Sequence, residues 1–431
     1  MKKISVLLLA LPSAAAAQSL PPIRQIGPVT AVSKDSIGAI STLRHLPNGR
    51  VLVNDIIGRR VVMFDSALSS VTVVADTTSA TANAYGVRPG GLIAYRGDST
   101  LFVDPASLSM LLIDPNGKIT RVMSAPRAQD VGFLVGGPFG TPGFDPSGKL
   151  VYRAPPNFGG FGPPRTGAGG LPQIPSPPDS AAIVRFDLAT RKLDTATFFK
   201  TPKITLNVTQ SADGGVRVNS NVNPLPQGDD WALLPDGTIA LVRTKDFHID
   251  WLHPDGTVRS TAKIPFSWER LTDEAKVAFI DSARVAIEKA RASGQFGVAG
   301  FGPQVVTRTA DGPGGAQRRV GGGGGDGAAG TTPAPGQLPP LTLVSPSELP
   351  DYKPAFAPGS TRVDTDGNLW IRTSQNVDAR PVYDVINQKG ELIDRVQLPA
   401  NRALAGFGEN GVVYLAVRDG TIAHLEKARV K

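Results

Sequence analysis

The stretch 231–265, WALLPDGTIALVRTKDFHIDWLHPDGTVRSTAKIP, holds two Pro-Asp-Gly tripeptides, Pro235-Asp236-Gly237 and Pro254-Asp255-Gly256. Proline presets φ for a turn and glycine accepts positive φ, so each tripeptide is a tight reversal of the chain. On either side of each, apolar and polar residues alternate, which is the period of a strand with one buried face. The stretch therefore reads as strand, turn, strand, loop, strand, turn, strand. Such a four-stranded antiparallel meander cannot bury both faces by itself.

The same pattern recurs along the chain. A first unit covers 39–76, with the turn Pro47-Asn48-Gly49, and a second covers 91–123, with turns at Gly97-Asp98 and Pro115-Asn116-Gly117. A third starts at 143, turns at Pro146-Ser147-Gly148, is interrupted, and resumes at 181–199. The fourth is 231–265, the fifth 361–398 and the sixth 403–428. Repeats of this size made of four strands predict an all-β fold, a six-bladed β-propeller of antiparallel blades packed radially around a channel. The sixth unit shows three strands before the chain ends. The isolated strand 23–33 is expected to supply its fourth, closing the ring by pairing the two ends of the chain.

Lys2 and Lys3, the apolar run Ile4 to Leu11 and Ala15-Ala16-Ala17 read as a secretory signal peptide over 1–17, leaving a propeller domain over 18–431. The chain has no cysteine, so disulfides, thiolate metal sites and lipid attachment through cysteine drop out. A periplasmic or secreted protein is expected, monomeric and without a transmembrane segment. The formal charge of +8 falls to +6 without Lys2 and Lys3, and it is spread thinly, which favours anionic ligands over nucleic acid. Three segments interrupt the repeat: a Pro/Gly-rich insertion at 155–179, a helical insertion at 267–293 and a Gly-rich loop, expected to be disordered, at 294–340. In the helix, Thr272 is the expected N-cap, and Ala275, Phe279, Ala283, Ala286 and Ala290 the expected packed stripe.

The repeats LPNGRVLVND, DPSGKLVYR, LPDGTIALV and DTDGNLWIR, with their partners VVMFD, AAIVRFD and HIDWLHPDG, resemble those of six-bladed propellers of the NHL and TolB-like kind. The resemblance spans nearly all of the chain outside the insertions. It is one of scaffold, since the turn signature serves hairpin geometry. More distantly, the chain is similar to gluconolactonase-type propellers. That resemblance implies a divalent metal held in the channel by a Glu, an Asn and an Asp, the Glu coming from a Glu-Gly-Pro motif that opens the first blade. Here the matching position reads Ser36-Ile37-Gly38-Ala39, without the leading carboxylate.

In a propeller, the loop between the second and third strands of each blade and the connections between blades share one face. The insertions 155–179, 203–228 and 266–354 all fall in those two classes, which marks that face for binding. The second strands end there on Asn54, Asp55, Asp104, Arg153, Arg243, Lys245, Asp246, Arg372, Arg418 and Asp419, with Arg59, Arg60, His248 and Arg380 just beyond. Converging guanidinium groups suit carboxylates, phosphates and acidic sugars, although each Arg can equally pair with a neighbouring Asp. Asp55, Asp104 and Asp246 are oxygen donors of the type that Ca²⁺ takes, and no other cofactor is suggested. No Gly-x-Ser-x-Gly elbow is present. The expectation is a module that binds an envelope protein, a peptide or an anionic small molecule or glycan through its loop-rich face. The alternative is a metal-dependent hydrolase or lyase, lactonase-like, working at the channel mouth.

Overall fold

The structure, a computed structural model, describes residues 20–156, 177–210, 216–292, 342–419 and 422–431, with the backbone course alone at 206–220, 290–292 and 419. The expected signal peptide 1–17, the expected loop 294–340 and most of the insertion 155–179 lie outside the described residues.

Six four-stranded antiparallel sheets form the blades of a six-bladed β-propeller. Blade 1 runs Ile40–His45, Val51–Asp55, Arg60–Phe64, Val71–Ala75, and blade 2 runs Gly91–Ala94, Thr100–Asp104, Ser109–Ile113, Ile119–Ser124. Blade 3 is Gly143–Phe144, Leu150–Arg153, Ser180–Phe186, Leu193–Lys200, and blade 4 is Asp230–Leu233, Ile239–Arg243, His248–Leu252, Val258–Ser260. Blade 5 is Phe356–Val363, Leu369–Val377, Arg380–Ile386, Leu392–Gln397, and blade 6 is Arg402–Phe407, Val412–Asp419, Ile422–Arg429 with Ala31–Val32 on its outer edge.

Several hairpin turns opposite the loop-rich face share one chemistry. In blade 3, the Asp145 side chain accepts from the backbone N–H of Lys149 at 3.0 Å while Gly148 sits at φ +80°. In blade 5, Asp364 accepts from Asn368 at 2.8 Å with Gly367 at φ +79°. A carboxylate that closes the turn on its own backbone, beside a residue free to take positive φ, is why the repeat is so regular there.

The core lies between blades rather than inside them. Trp231, Ile239 and Leu241 of blade 4 pack on Val151, Ile183 and Phe199 of blade 3. On their other face, Val242, Phe247 and Trp251 pack on Phe356, Ile371 and Ile386 of blade 5. The same holds round to Val53 and Phe64 of blade 1 against Tyr414 and Leu425 of blade 6, which closes the ring. A blade alternating at period two offers an apolar layer on both sides, and only two neighbours can cover both.

The N-terminal strand closes the ring, but it is split. Ile23–Gln25 adds a fifth strand to blade 5, parallel to Leu392–Gln397, and Ala31–Val32 pairs antiparallel with blade 6. Pro28 lies at the change of blade, where it has no N–H to give to either ladder. Ile26, just before it, is buried between Val396 and Leu398 of blade 5 and Val413 and Ala428 of blade 6.

Two further differences from expectation lie in the inter-blade connections. The stretch 203–228, read as irregular, contains a hairpin, Leu206–Gln210 paired with Val216–Ser220, and its LNVTQ and VRVNS alternation was there to be found. The helix Asp273–Ala292 starts at Thr272, whose Oγ1 accepts from the Ala275 N–H at 3.2 Å. Its packed side is rotated from the expected stripe: Ile280 and Lys276 are buried while Ala286 is exposed. The reason is its support, which is Leu225, Leu271, Val344 and Leu349 rather than a blade.

Candidate functional site

On the loop-rich face, the candidates of blades 1 and 2 are committed to bracing the backbone. Asn54, fully buried, donates to Ser41 Oγ at 2.8 Å and to the Gly90 carbonyl at 2.7 Å, and accepts from the Tyr85 hydroxyl at 3.0 Å. Asp55 accepts from the backbone N–H groups of Gly38, Ala39 and Gly58 and from Arg60 Nε at 3.1 Å. Arg60 also donates to the Ser36 carbonyl, and Arg59 to the Gly86 carbonyl. Asp104 accepts from Ala106 N–H at 3.1 Å and Ser107 Oγ at 2.6 Å, holding its own loop. Asn54 and Arg59 thus tie blade 1 to the entry of blade 2, while Asp55 and Arg60 hold blade 1's own entry.

Blade 4 does gather its candidates. Arg243 bridges Asp229 at 2.8 Å and Asp250 at 2.7 Å. Burial works against its charge, yet the two carboxylates raise its pKa. His248 lies 2.6 Å from Asp246 and 3.4 Å from Asp250, and Lys263 stands 3.8 Å from Asp246. Lys245 beside them is exposed and has no hydrogen bond or ion pair with a described residue. In blade 5 the second strand runs on to Val377, so Arg372 is not at its end as expected. It sits mid-strand, exposed, where the register of Phe356–Val363 shifts, and the projecting hairpin carries Arg380, 3.0 Å from Asp378. Arg418 is exposed at the end of its strand, while the Asp419 side chain lies outside the described residues.

The feature that sequence reasoning missed is the connection from blade 2 to blade 3. Its residues 127–140 carry two short 3₁₀ turns, Ala128–Phe133 and Gly137–Phe139. Added Cβ atoms show how close its contacts are: Gly91 of blade 2 would meet the Val135 backbone at 2.5 Å, and Gly359 of blade 5 would meet Pro138 Cα at 2.9 Å. From the segment itself, Gly136 faces Thr42 of blade 1 at 3.5 Å, and Gly140 would meet Trp231 of blade 4 at 2.4 Å. A segment that touches the innermost strands of blades 1 and 4, on opposite sides of a six-membered ring, crosses the central channel. It does so at the end where those strands begin, which is the loop-rich face. Its sequence, RAQDVGFLVGGPFG, has neither helical nor strand period, and so carried no signal of its own.

The segment is anchored by charge and by ring contacts. Arg127 gives Asp130 two hydrogen bonds, at 2.7 and 2.9 Å, and the Tyr152 hydroxyl gives the same carboxylate a third at 2.5 Å. Burial and then Asp130 push the Tyr152 phenol up, so it stays a donor. The Trp231 indole N–H donates to the Phe139 carbonyl at 2.9 Å. Arg153, expected at an open mouth, instead lies under the segment, its guanidinium 5.2 to 5.8 Å from the ring centres of Phe133, Phe139 and Phe199. Burial lowers its pKa to about 10, with Asp230 opposing. Asp230 is wholly buried, accepting from the N–H groups of Trp231 and Thr361, and burial raises its pKa.

The carboxylates considered for Ca²⁺ are not brought together. Asp55 and Asp104 hold different blades, Asp246 stands on blade 4 with His248, and among the described residues no group of three or more His, Cys, Asp or Glu could hold a metal ion. The metal set implied by the gluconolactonase resemblance does not fit the residues present, since no carboxylate stands at Ser36-Ile37-Gly38-Ala39 and Asn54 donates to Ser41 and Gly90. Among the described residues no helix is long and apolar enough to cross a membrane.

No protein-family model matches the chain, and no curated protein matches it significantly. Solved structures similar to it include a gluconolactonase of Xanthomonas campestris, with 11% identity, a TM-score of 0.40, and coverage of 96% of this chain and 99% of that one. It is similar to an inactive variant of virginiamycin B lyase from Staphylococcus aureus, with 10% identity, a TM-score of 0.37, and coverage of 92% and 96%. A calcium-binding regucalcin of Agrobacterium tumefaciens is a third, with 12% identity, a TM-score of 0.38, and coverage of 96% and 97%.

Proposed function

We propose that this protein is an exported binding module that engages an anionic partner, a peptide, a glycan or an acidic envelope protein, through its loop-rich face. One observation carries the reading. Lys245, Arg372 and Arg418 are exposed on the blades there without an ion pair to any described residue, while 127–140 lies across the channel that an enzyme of this fold would use. A closed scaffold with unneutralised cations attracts anions over a surface and offers no reaction chamber. Export is supported by Lys2-Lys3, the apolar run to Leu11 and Ala15-Ala16-Ala17.

The test is retention on a sulfated polysaccharide resin under a salt gradient. Substituting Lys245, Arg372 and Arg418 together by alanine should bring elution to clearly lower salt while the melting temperature stays put. Elution at unchanged salt would refute the reading.

A further inference from the structure

Blades 2 and 4 build the loop between their second and third strands alike, and they differ in what covers it. In blade 4 that loop ends on Phe247, at φ +46°, whose carbonyl accepts from Ile264 N–H at 2.7 Å. In blade 2 it ends on Leu108, at φ +56°, whose carbonyl accepts from Ala125 N–H at 3.0 Å. Ile264-Pro265-Phe266 and Ala125-Pro126-Arg127 thus occupy corresponding places. Phe266 turns back and packs edge-on against Phe247 at 5.7 Å, and Phe247 is fully buried. Arg127, in the place of Phe266, turns away to Asp130, and Leu108 is left 44% exposed.

The place left open is a cleft of about 340 Å³ lined by Pro105, Leu108, Val131 and Gly132 together with Arg88 and Gln129. That volume is in the range of small-molecule sites. Arg88 has no hydrogen bond or ion pair with a described residue. The two carboxylates that adjoin lining residues in sequence, beside Pro105 and Gln129, are already engaged, Asp104 by Ala106 and Ser107, and Asp130 by Arg127 and Tyr152. A cleft lined by apolar side chains and polar groups in similar measure, with one guanidinium that has no partner among the described residues, suits a single negative charge on an apolar body.

We propose that this cleft binds a small amphiphilic monoanion, a carboxylate or sulfonate whose apolar body lies on Leu108 as Phe266 lies on Phe247 and whose acid group pairs with Arg88. The site is distinct from the cations Lys245, Arg372 and Arg418 and does not depend on their role.

The probe is 2-naphthoate, titrated into the full chain by calorimetry, with neutral 2-naphthalenemethanol as its control. The expected result is one site per chain, with the neutral alcohol and the Arg88→Ala variant each weaker by about tenfold or more, the usual worth of a charge-assisted hydrogen bond. A Cβ on Gly132 would meet no atom within 4 Å and its φ is outside the left-handed region, so Gly132→Leu should fold normally and fill the cleft. That variant should lose naphthoate binding with an unchanged melting temperature. The triple alanine variant at Lys245, Arg372 and Arg418 should bind naphthoate as the parent does, which separates this site from the polyanion surface. No saturable binding by the parent, or equal binding by Arg88→Ala and Gly132→Leu, would overturn the proposal.

Discussion

Trp231 of blade 4 donates its indole hydrogen to the carbonyl of Phe139 over 2.9 Å, and this bond fixes the segment that crosses the channel. Trp231→Phe keeps an aromatic ring but removes the indole N–H and part of a buried bicycle, orphaning that carbonyl, so it should destabilise by at least about 1–3 kcal/mol in urea unfolding. Gly140→Ala should do more, since its Cβ would fall 2.4 Å from Trp231 Nε1 at a φ of +88°. If both variants unfold like the parent, the segment is not held there.

Arg243 answers two carboxylates at once, and both of them are mostly buried. Removing it with Arg243→Ala should destabilise by about 3–5 kcal/mol, as for other broken buried ion pairs. Arg243→Lys should recover little of this, because a single ammonium cannot reproduce the fork that reaches Asp229 and Asp250 together. Full recovery by lysine, read from the denaturation midpoint, would contradict the bridging role.

Asp384 is buried in blade 5, and burial lifts its pKa to about 6 although Arg395 lies 3.3 Å away. A carboxyl with a folded pKa above its unfolded value, 3.8, binds its proton more tightly when folded. Its contribution is thus full below pH 3.8 and is lost as pH rises through about 6, at up to about 3 kcal/mol. Stability measured by urea unfolding from pH 4 to pH 7 should carry this fall, and Asp384→Asn should flatten it. An unaltered slope in the variant would place the titration elsewhere.

The divided N-terminal strand predicts two separable truncations. A chain starting at residue 30 loses Ile23–Gln25 and the buried Ile26, and should be destabilised by about 2 kcal/mol or more from lost apolar burial. A chain starting at residue 35 also loses the bonds from Thr30 and Ser33 N–H to Lys427 and Leu425, and bares the edge of blade 6. The second should show a markedly lower melting temperature and concentration-dependent association. Equal behaviour of the two would mean that Ala31–Val32 does not close the ring.

The blades were readable because each is a local object. Pro254-Asp255-Gly256 makes its turn with its own atoms, Asp255 accepting from Thr257 at 2.9 Å, and needs nothing from the rest of the chain. The candidate site was not readable in that way. Asn54 and Asp104 look like ligands at strand ends, but their partners, Gly90 and Ser41 for one and Ser107 for the other, become visible only with the loops in place. Arg153 likewise stands at the expected point of its blade, under a segment that no periodicity announced.

By itself, then, the sequence determined the repeat: alternation sets which side chains face a neighbouring blade, and the Asx-Gly turns set where each strand reverses, both within a few residues. The tertiary structure decided which parts of the loop-rich face are open. Whether Phe247 is covered and Leu108 bare depends on where Phe266 and Arg127 turn: Phe266 packs on Phe247 and Trp268, and Arg127 pairs with Asp130, which Tyr152 also holds. Arg127 and Asp130 are neighbours in the chain, but Tyr152, which fixes Asp130, and Phe356, which packs on Phe247, come from other blades, and packing between blades is what brings them there.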